Sequence, residues 1–356
     1  MKNIRIALII PDFDYGGEEK RVVYFANSYL SYCANVYVIA PVGKSDSLLD
    51  DQVKRFRINV RNVCNYTAIF RFMKDENITV LQGHKRASLP ILYFTDRYMG
   101  IKAFFNFDNI YLKYNKICSY LSPARNVFLS DVLKEFYYPY LKNKFNLTIN
   151  MGGDMLRKYS DEQIVIIKRQ LKIEEGVPII LSLGRLAPQK NQMLLLDALS
   201  EFQTTAFICL IVGSGPLELE LKIKIDKLGL NGKVRLLGHR SDIEDLLNIS
   251  DFLVQSSVFE GFPNVFIEAV SVGLPILSTN VGSAKTLVKD NGMLVPSNDC
   301  FALTNALKVM IQNLRYFKKE AENMRISKYF LQFSKEQMLK GYIDFINQLV
   351  ESDENK

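Results

Sequence analysis

The chain has 356 residues but only two histidines, His84 and His239, and only five cysteines. The cysteines, at 33, 64, 118, 209 and 300, show no paired spacing. That removes a disulfide framework and a zinc-ligand pattern as the basis of the fold. A reducing, cytoplasmic setting is therefore the default expectation. No apolar run approaches the ~18–20 residues that cross a bilayer. The opening run from Ile4 to Ile10 is too short for a signal-peptide core with its cleavage site, and Pro11-Asp12 ends it. It reads as a first β-strand. Short-period repeats and low-complexity segments are also missing. What remains is a globular chain, 48% hydrophobic, long enough for two domains of roughly 150–180 residues.

Charge is uneven. Through residue 160 there are 23 Lys and Arg against 14 Asp and Glu; the remainder carries 22 against 24, for a net +7. The basic half is also rich in aromatics. Tyr98, Phe104, Phe105, Phe107, Tyr111 and Tyr114 mingle with Arg97, Lys102, Lys113 and Lys116. Farther on come Lys134, Phe136, Tyr137, Tyr138, Tyr140, Lys142 and Lys144. Two readings stand: core aromatics among solvated lysines, or a surface suited to an anionic membrane. Nucleic acid is not an expected partner, because no nucleic-acid motif accompanies the charge.

The first half reads as strands near 4–10, 36–40, 80–82 and 103–107, and a helix whose apolar side carries Val22, Val23, Phe25, Ala26 and Leu30. A helix spans 159–171. The second half alternates more cleanly. Strands are expected at 179–183, 207–212, 233–237, 252–254 and 275–278, and helices at 192–202, 217–228, 242–248 and 264–272. Such alternation means α/β domains with parallel sheets covered by helices. Two glycines near Met151-Gly152-Gly153-Asp154 mark the hinge, and a last helix at 335–349 has Met338, Leu339, Ile343, Ile346 and Leu349 on one side.

The densest chemistry lies between Glu260 and Glu268. A tight turn through Gly261, Pro263 and Asn264 leads into an apolar helix. It aims the N–H groups of Phe262, Pro263's neighbour Asn264, and Val265 at one point, and the helix adds partial positive charge there. That is a place for phosphate, while the carboxylates can accept hydrogen bonds from sugar hydroxyls. The buried-strand run Ile179–Leu183 feeds Gly184-Arg185-Leu186-Ala187-Pro188-Gln189-Lys190-Asn191. Cations in a loop after a parallel strand sit where open α/β sheets bind ligands. Arg185 brings a planar fork and Lys190 a point charge, enough to hold a diphosphate without metal. No Asp-x-Asp pair lies beside this loop, and no cofactor is expected.

These motifs resemble the retaining GT-B glycosyltransferases of family 4. The matching features are Gly16-Gly17 with Arg21, Gly184-Arg185…Lys190-Asn191, Val212-Gly213-Ser214-Gly215-Pro216, and the Glu260…Glu268 spacing. The match is dense over roughly residues 177–296 and thin before it. The resemblance implies two Rossmann-like domains facing across a cleft. Residues 1–155 would bind acceptor, 156–330 would bind the nucleotide-sugar, and 331–356 would return as a helix to the first domain. It implies that Glu268 binds the nucleotide ribose and that Glu260 contacts the donor sugar. Gly16, Gly17, Gly213 and His239 then line the donor site. His84, after the 80–82 strand, is a candidate to assist the acceptor hydroxyl. The family often has a histidine after the next strand; here that place reads Phe105-Asn106-Phe107-Asp108, so Asn106 or Asp108 takes part of that role or none is needed. Met151-Gly152 stands where the family commonly has Asn-Gly.

The expected activity is transfer of a hexose or N-acetylhexosamine from a UDP- or GDP-sugar to a hydroxyl on a glycan or lipid-linked acceptor, with retention. Bacterial surface polysaccharide assembly is the expected setting, in the cytoplasm or on the inner face of the membrane. A phosphorylase or hydrolase on the same fold, and a nucleotide-sugar-binding subunit, remain open alternatives.

Overall fold

The computed structural model describes residues 3–14, 16–110 and 113–351. Tyr111, one of the aromatics noted above, lies outside the described residues. The chain divides into two compact units, Met1–Asn150 with Met338–Lys356, and Met151–Gln337.

Unit 1 is built on a seven-stranded parallel sheet: β1 (Arg5–Ile9), β2 (Asn35–Ala40), β3 (Lys54–Arg57), β4 (Val80–Gly83), β5 (Lys102–Phe107), β6 (Arg125–Phe128) and β7 (Phe145–Thr148). Their spatial order is β3-β2-β1-β4-β5-β6-β7. The connecting helices are α1 (Gly17–Tyr29), α2 (Tyr66–Asp75), α3 (Leu89–Tyr98), α4 (Asn115–Leu121) and α5 (Asp131–Leu141). β1 is central, paired with both β2 and β4, and Ile6 to Ile9 have no exposed surface. A strand covered on both faces reads as a continuous apolar run, which is why it was visible in the sequence.

Unit 2 carries a six-stranded parallel sheet: β8 (Ile179–Leu183), β9 (Ile208–Val212), β10 (Val234–Leu236), β11 (Phe252–Gln255), β12 (Ile276–Thr279) and β13 (Gly292–Val295). Its order is β10-β9-β8-β11-β12-β13. The helices are α6 (Asp161–Gln170), α7 (Gln192–Ser200), α8 (Glu218–Lys227), α9 (Ile243–Ile249), α10 (Asn264–Ser271), α11 (Ala284–Leu287), α12 (Cys300–Gln312), α13 (Leu314–Arg325) and α14 (Lys328–Leu331). Ile180, Ile211, Phe252 and Leu277 from the sheet pack with Leu195, Leu199, Leu221 and Leu307 from the helices to form its core. The last helix, α15 (Lys335–Glu351), joins unit 1 from Met338 onward. There the Tyr342 ring lies 4.5 Å from Phe25, and Phe345 meets Phe104 edge-on at 5.2 Å.

Both sheets reverse direction once. In each, the chain builds outward from a central strand to one edge, then returns to the other side. The reversal falls between β1 and β4 in unit 1 and between β8 and β11 in unit 2. At such a point the two following loops part and leave a crevice at the carboxyl ends of the strands.

The aromatics of the basic stretch divide between core and surface. Phe104, Phe105, Phe107 and Tyr137 are core, whereas Phe94, Tyr98, Tyr114, Tyr120, Tyr138 and Tyr140 are exposed.

Candidate functional site

At the reversal of unit 2, two loops are tied to each other. Ser256 Oγ donates to the carbonyls of Lys190 (3.1 Å) and Asn191 (2.9 Å). The Val258 N–H donates to the Gln189 carbonyl at 2.8 Å, and Gln189 Nε2 returns a bond to the Phe259 carbonyl at 3.0 Å. Beneath them, Gln255 Nε2 is bonded to the Leu183 carbonyl at 2.8 Å. Together these bonds bring the loop carrying Arg185 and Lys190 against the loop carrying Glu260. Lys190 Nζ and Glu260 Oε1 are 2.5 Å apart, with side chains 18% and 12% exposed. Ser257 Oγ donates to the same carboxylate oxygen at 2.7 Å. Arg185 is exposed, and its carbonyl accepts from Gln192 Nε2 at 3.2 Å.

The Glu260 loop is braced from its other side. Thr279 Oγ1 donates to the Ser257 carbonyl at 2.6 Å, and the Ser283 N–H donates to the Gly261 carbonyl at 2.9 Å. Beyond it, buried Pro263 stands before α10, followed by half-buried Asn264 and Val265. The leading N–H groups of a helix have no i−4 carbonyl to bond, so this tip offers donors. Glu268 lies about one turn inside α10 and is half-buried; its carbonyl accepts from Ser271 Oγ at 2.7 Å. Phe262 is half-buried, its ring 6.1 Å from that of Phe333.

Two glycines set how closely the strand ends meet. Gly184 and Gly213 have φ of 147° and 140°, which L side chains rarely adopt. A Cβ on Gly213 would run into the Gly184 carbonyl. The Gly184 N–H bonds the Val212 carbonyl at 3.0 Å, and the Gly213 N–H bonds the Gly238 carbonyl at 2.8 Å. The structure thus brings Arg185, Lys190, Glu260, Gly213 and the start of α10 to the carboxyl edge of one sheet. His239 is exposed just past β10, two strands from β8.

The reversal of unit 1 holds a charged network with little trace in the sequence. Gly16 caps α1 in extended backbone and Gly17 opens it, exposed. Glu18 and Glu19, in the first turn of α1, are both engaged here. Lys85 pairs with Glu19 and lies 3.4 Å from Asp12, and its backbone N–H donates to Glu18 Oε1 at 3.0 Å. Arg21 is buried and bonds Asp108 Oδ2 at 2.5 Å. His84 has no exposed surface; Nε2 lies 3.2 Å from Asn106 Nδ2, and Nδ1 faces Glu18 Oε1 at 3.6 Å. An imidazole enclosed in this way does not reach a solvent-facing hydroxyl. The structure places the His84 ring among Asn106 and Glu18 with no exposed surface of its own. The acids directly after Gly16-Gly17 were the available signal for this network.

Burial, and then the Arg21 charge, push the His84 pKa down to about 3, so the ring is neutral. Burial, and then the Glu18 charge, push Asp108 up to about 7. Glu18 is raised too, chiefly by burial. The signs oppose each other. Unfolded His84 takes up a proton below its ordinary 6.5 that the folded ring refuses until about 3, so its contribution is lost as pH falls through that window. Folded Asp108 keeps a proton that the unfolded group releases above 3.8, so its contribution is lost as pH rises toward 7. Asp108→Asn should therefore leave a stability that rises between about pH 4 and 6.5, and His84→Gln one that falls, each by up to ~1.4 kcal/mol per pH unit. Urea midpoints at the two ends of that range check this; equal slopes in both variants would contradict it.

Residues 164–328 match the family model described as Glycosyl transferases group 1. Among curated proteins, the UDP-Gal:alpha-D-GlcNAc-diphosphoundecaprenol alpha-1,3-galactosyltransferase of Escherichia coli is 24% identical over 344 residues, covering 85% of this chain and 87% of that enzyme. A Campylobacter jejuni alpha-1,4-N-acetyl-D-galactosaminyltransferase acting on a GalNAc-alpha-(1->4)-GalNAc-alpha-(1->3)-diNAcBac-PP-undecaprenol is 32% identical over 171 residues, 46% of this chain and 47% of that one. That alignment thus spans about half the relative's length. Among solved structures, HepE of Anabaena in complex with UDP superposes with a TM-score of 0.85 at 19% identity, over 98% of this chain and 100% of that chain. At that identity the likeness carries the fold alone.

Proposed function

Because this chain is a GT-B glycosyltransferase with a glycosyl transferases group 1 domain, we propose that it transfers a hexose or N-acetylhexosamine from a UDP- or GDP-sugar to a hydroxyl, with retention of anomeric configuration. The observation that carries this reading is the Lys190–Glu260 pair at the reversal of the unit 2 sheet, with exposed Arg185 in the same loop. Cations there neutralise a departing diphosphate, and charge that develops as a bond breaks is what fixed cations stabilise best. Glu260 grips the donor sugar and Glu268 the ribose. The C1–O bond to phosphate breaks as the acceptor oxygen bonds C1 on the same face. The acceptor proton passes to a phosphate oxygen. Two side-chain cations and the α10 tip do the neutralising, so the proposal needs no metal. Assay with a panel of UDP- and GDP-sugars, with the product anomer read by NMR, tests it. A retained anomer formed in chelator supports the proposal; an inverted anomer, or donor consumption without acceptor, ends it.

We further propose an acceptor among lipid-linked or surface glycans, a reading supported by similarity to the undecaprenol-linked glycan transferases named above. The outer sides of α2 to α5 expose Phe94, Tyr98, Ile117, Tyr120 and Tyr138 among Arg71, Lys74, Arg97 and Lys116. A cavity of about 790 Å³ beside α2 and α3 is lined by Phe70, Phe94, Tyr98 and Met99 with Thr67, Arg71, Lys74 and the acid Asp75. Aromatic rings beside cations suit an anionic bilayer surface. No helix among the described residues is long and apolar enough to cross a membrane. Binding to anionic liposomes is expected at about 0.1 M salt and should weaken toward ~1 M, as the Debye length falls from ~10 to ~3 Å. Absence of binding at low salt removes the idea.

A further inference from the structure

Glu260 has a charged partner and a neutral one, and the two have different fates in a transfer. Both of its side-chain bonds end on Oε1, from Lys190 Nζ at 2.5 Å and from Ser257 Oγ at 2.7 Å. Among the described residues no donor reaches Oε2, and that oxygen is not sealed from solvent. It is open to a ligand hydroxyl. Lys190 is a shared cation. A diphosphate at this loop carries more negative charge than one carboxylate and draws the ammonium to itself. Oε1 then keeps only the bond from Ser257. Whether the carboxylate stays or turns depends on how firmly Ser257 is held.

Ser257 has no exposed surface, and the chain around it is clamped. Just before it, Ser256 Oγ bonds the Lys190 and Asn191 carbonyls; just after it, the Val258 N–H bonds the Gln189 carbonyl. Its own carbonyl accepts from Thr279 Oγ1 at 2.6 Å. Thr279 is wholly buried too, and its other acceptor, the Gln255 carbonyl, is farther away at 3.5 Å. A hydroxyl has one proton to give, and the shorter bond to Ser257 takes it. The far end of the segment is held by the loop after β12. The Ser283 N–H bonds the Gly261 carbonyl at 2.9 Å. Gly282, at a φ of 53°, packs so closely that a Cβ would strike the Glu260 and Gly261 carbonyls. The main chain from 256 to 261 is therefore fixed at both ends. None of these ties uses the Lys190 ammonium, so none is lost when the ammonium moves.

We infer that Ser257 is the positioning residue that keeps Glu260 aimed at the donor sugar once Lys190 has turned to the diphosphate, and that Thr279 sets Ser257. This rests on the transferase reading above and names what fixes its sugar contact. Oε1 stays on Ser257, and Oε2 accepts from one sugar hydroxyl. A carboxylate tied in this way does not follow a hydroxyl of the opposite configuration. The same bond therefore makes the site discriminate between epimeric sugars.

The test uses the full chain and the panel of UDP- and GDP-sugars. Ser257→Ala should lower kcat for transfer by about 10–100-fold, because a misplacement of ~1 Å at a positioned group costs up to ~10². The affinity for UDP or GDP itself should not change. The ratio of kcat/KM between the best donor and its epimer should fall by about tenfold. Thr279→Val removes the hydroxyl at nearly constant size and should move both quantities the same way; Thr279→Ser keeps the hydroxyl and should retain wild-type values. Ser250→Ala is the control. It loses another buried hydroxyl bond, from Ser250 Oγ to the Leu246 carbonyl at 2.6 Å, before β11 instead of after it. It should lower the melting temperature and leave the epimer ratio alone. An unchanged epimer ratio in Ser257→Ala, or a loss of UDP or GDP affinity as large as the loss of transfer, overturns the inference. A crystal structure of ligand-free Lys190→Ala reads the same tie without turnover. Glu260 Oε1 should remain within hydrogen-bond reach of Ser257 Oγ; a carboxylate turned away from Ser257 also overturns the inference. A wild-type chain that transfers from no nucleotide-sugar ends the transferase reading instead, while that structure still decides whether Ser257 holds Glu260.

Discussion

Lys190→Ala is expected to lower turnover by about 10²–10³, the scale seen when one preorganised charge-stabilising donor is removed. Arg185→Ala should lower it by a similar factor. The two differ in stability, and the structure says why. Arg185 is exposed, so its loss should leave the melting temperature close to wild type. Lys190 covers Glu260, which is only 12% exposed, so its loss leaves a mostly buried carboxylate without its cation. That should cost on the order of 1–3 kcal/mol. Adding Glu260→Gln to Lys190→Ala should recover most of the stability and none of the turnover. Recovery of turnover in the double variant would mean that the pair is only a structural brace.

Gly213→Ala should have the larger effect on the fold. The new methyl would meet the Gly184 carbonyl, at a φ of 140° that alanine avoids. The cost should be on the order of 2–4 kcal/mol, from strain plus displaced backbone. For a unit of this size that is a fall of roughly 4–16 °C in melting temperature. Because Gly184 leads into the loop of Arg185 and Lys190, nucleotide affinity should fall with it. Gly229→Ala is the matching control. Its φ is also positive, at 66°, but a Cβ there meets nothing within 4 Å. It should lose stability by about 1 kcal/mol or less and keep nucleotide affinity. Equal losses in the two variants would show that φ alone matters and that the contact with Gly184 does not.

What the sequence disclosed follows from burial. Ile179–Leu183 and Phe252–Gln255 are covered on both faces, so their apolar runs announced strands. β3 escaped notice because it is an edge strand whose Lys54 and Arg55 are exposed. β6 and β7 escaped because Asn126 and Asn146 stand inside them, where Asn126 Nδ2 bonds Asn146 Oδ1 at 3.4 Å. The unit 2 site was legible in its parts, since Gly184, Arg185, Lys190, Glu260 and Glu268 are short local motifs. That Lys190 and Glu260 pair directly was not, because they lie 70 residues apart and only the sheet order joins them. The unit 1 network was harder still. Tyr342 meets Asn106 across 236 residues, and nothing near either position hints at the other. The bond that holds Arg21 inside goes to Asp108, 87 residues away.

The most direct measurement is a crystal structure of this chain with a nucleoside diphosphate. The account predicts the diphosphate at the reversal of the unit 2 sheet, held by Arg185, Lys190 and the first N–H groups of α10, with Glu260 released from Lys190 and Glu268 on the ribose. A nucleotide seated elsewhere, with Lys190 and Glu260 still joined, would contradict it.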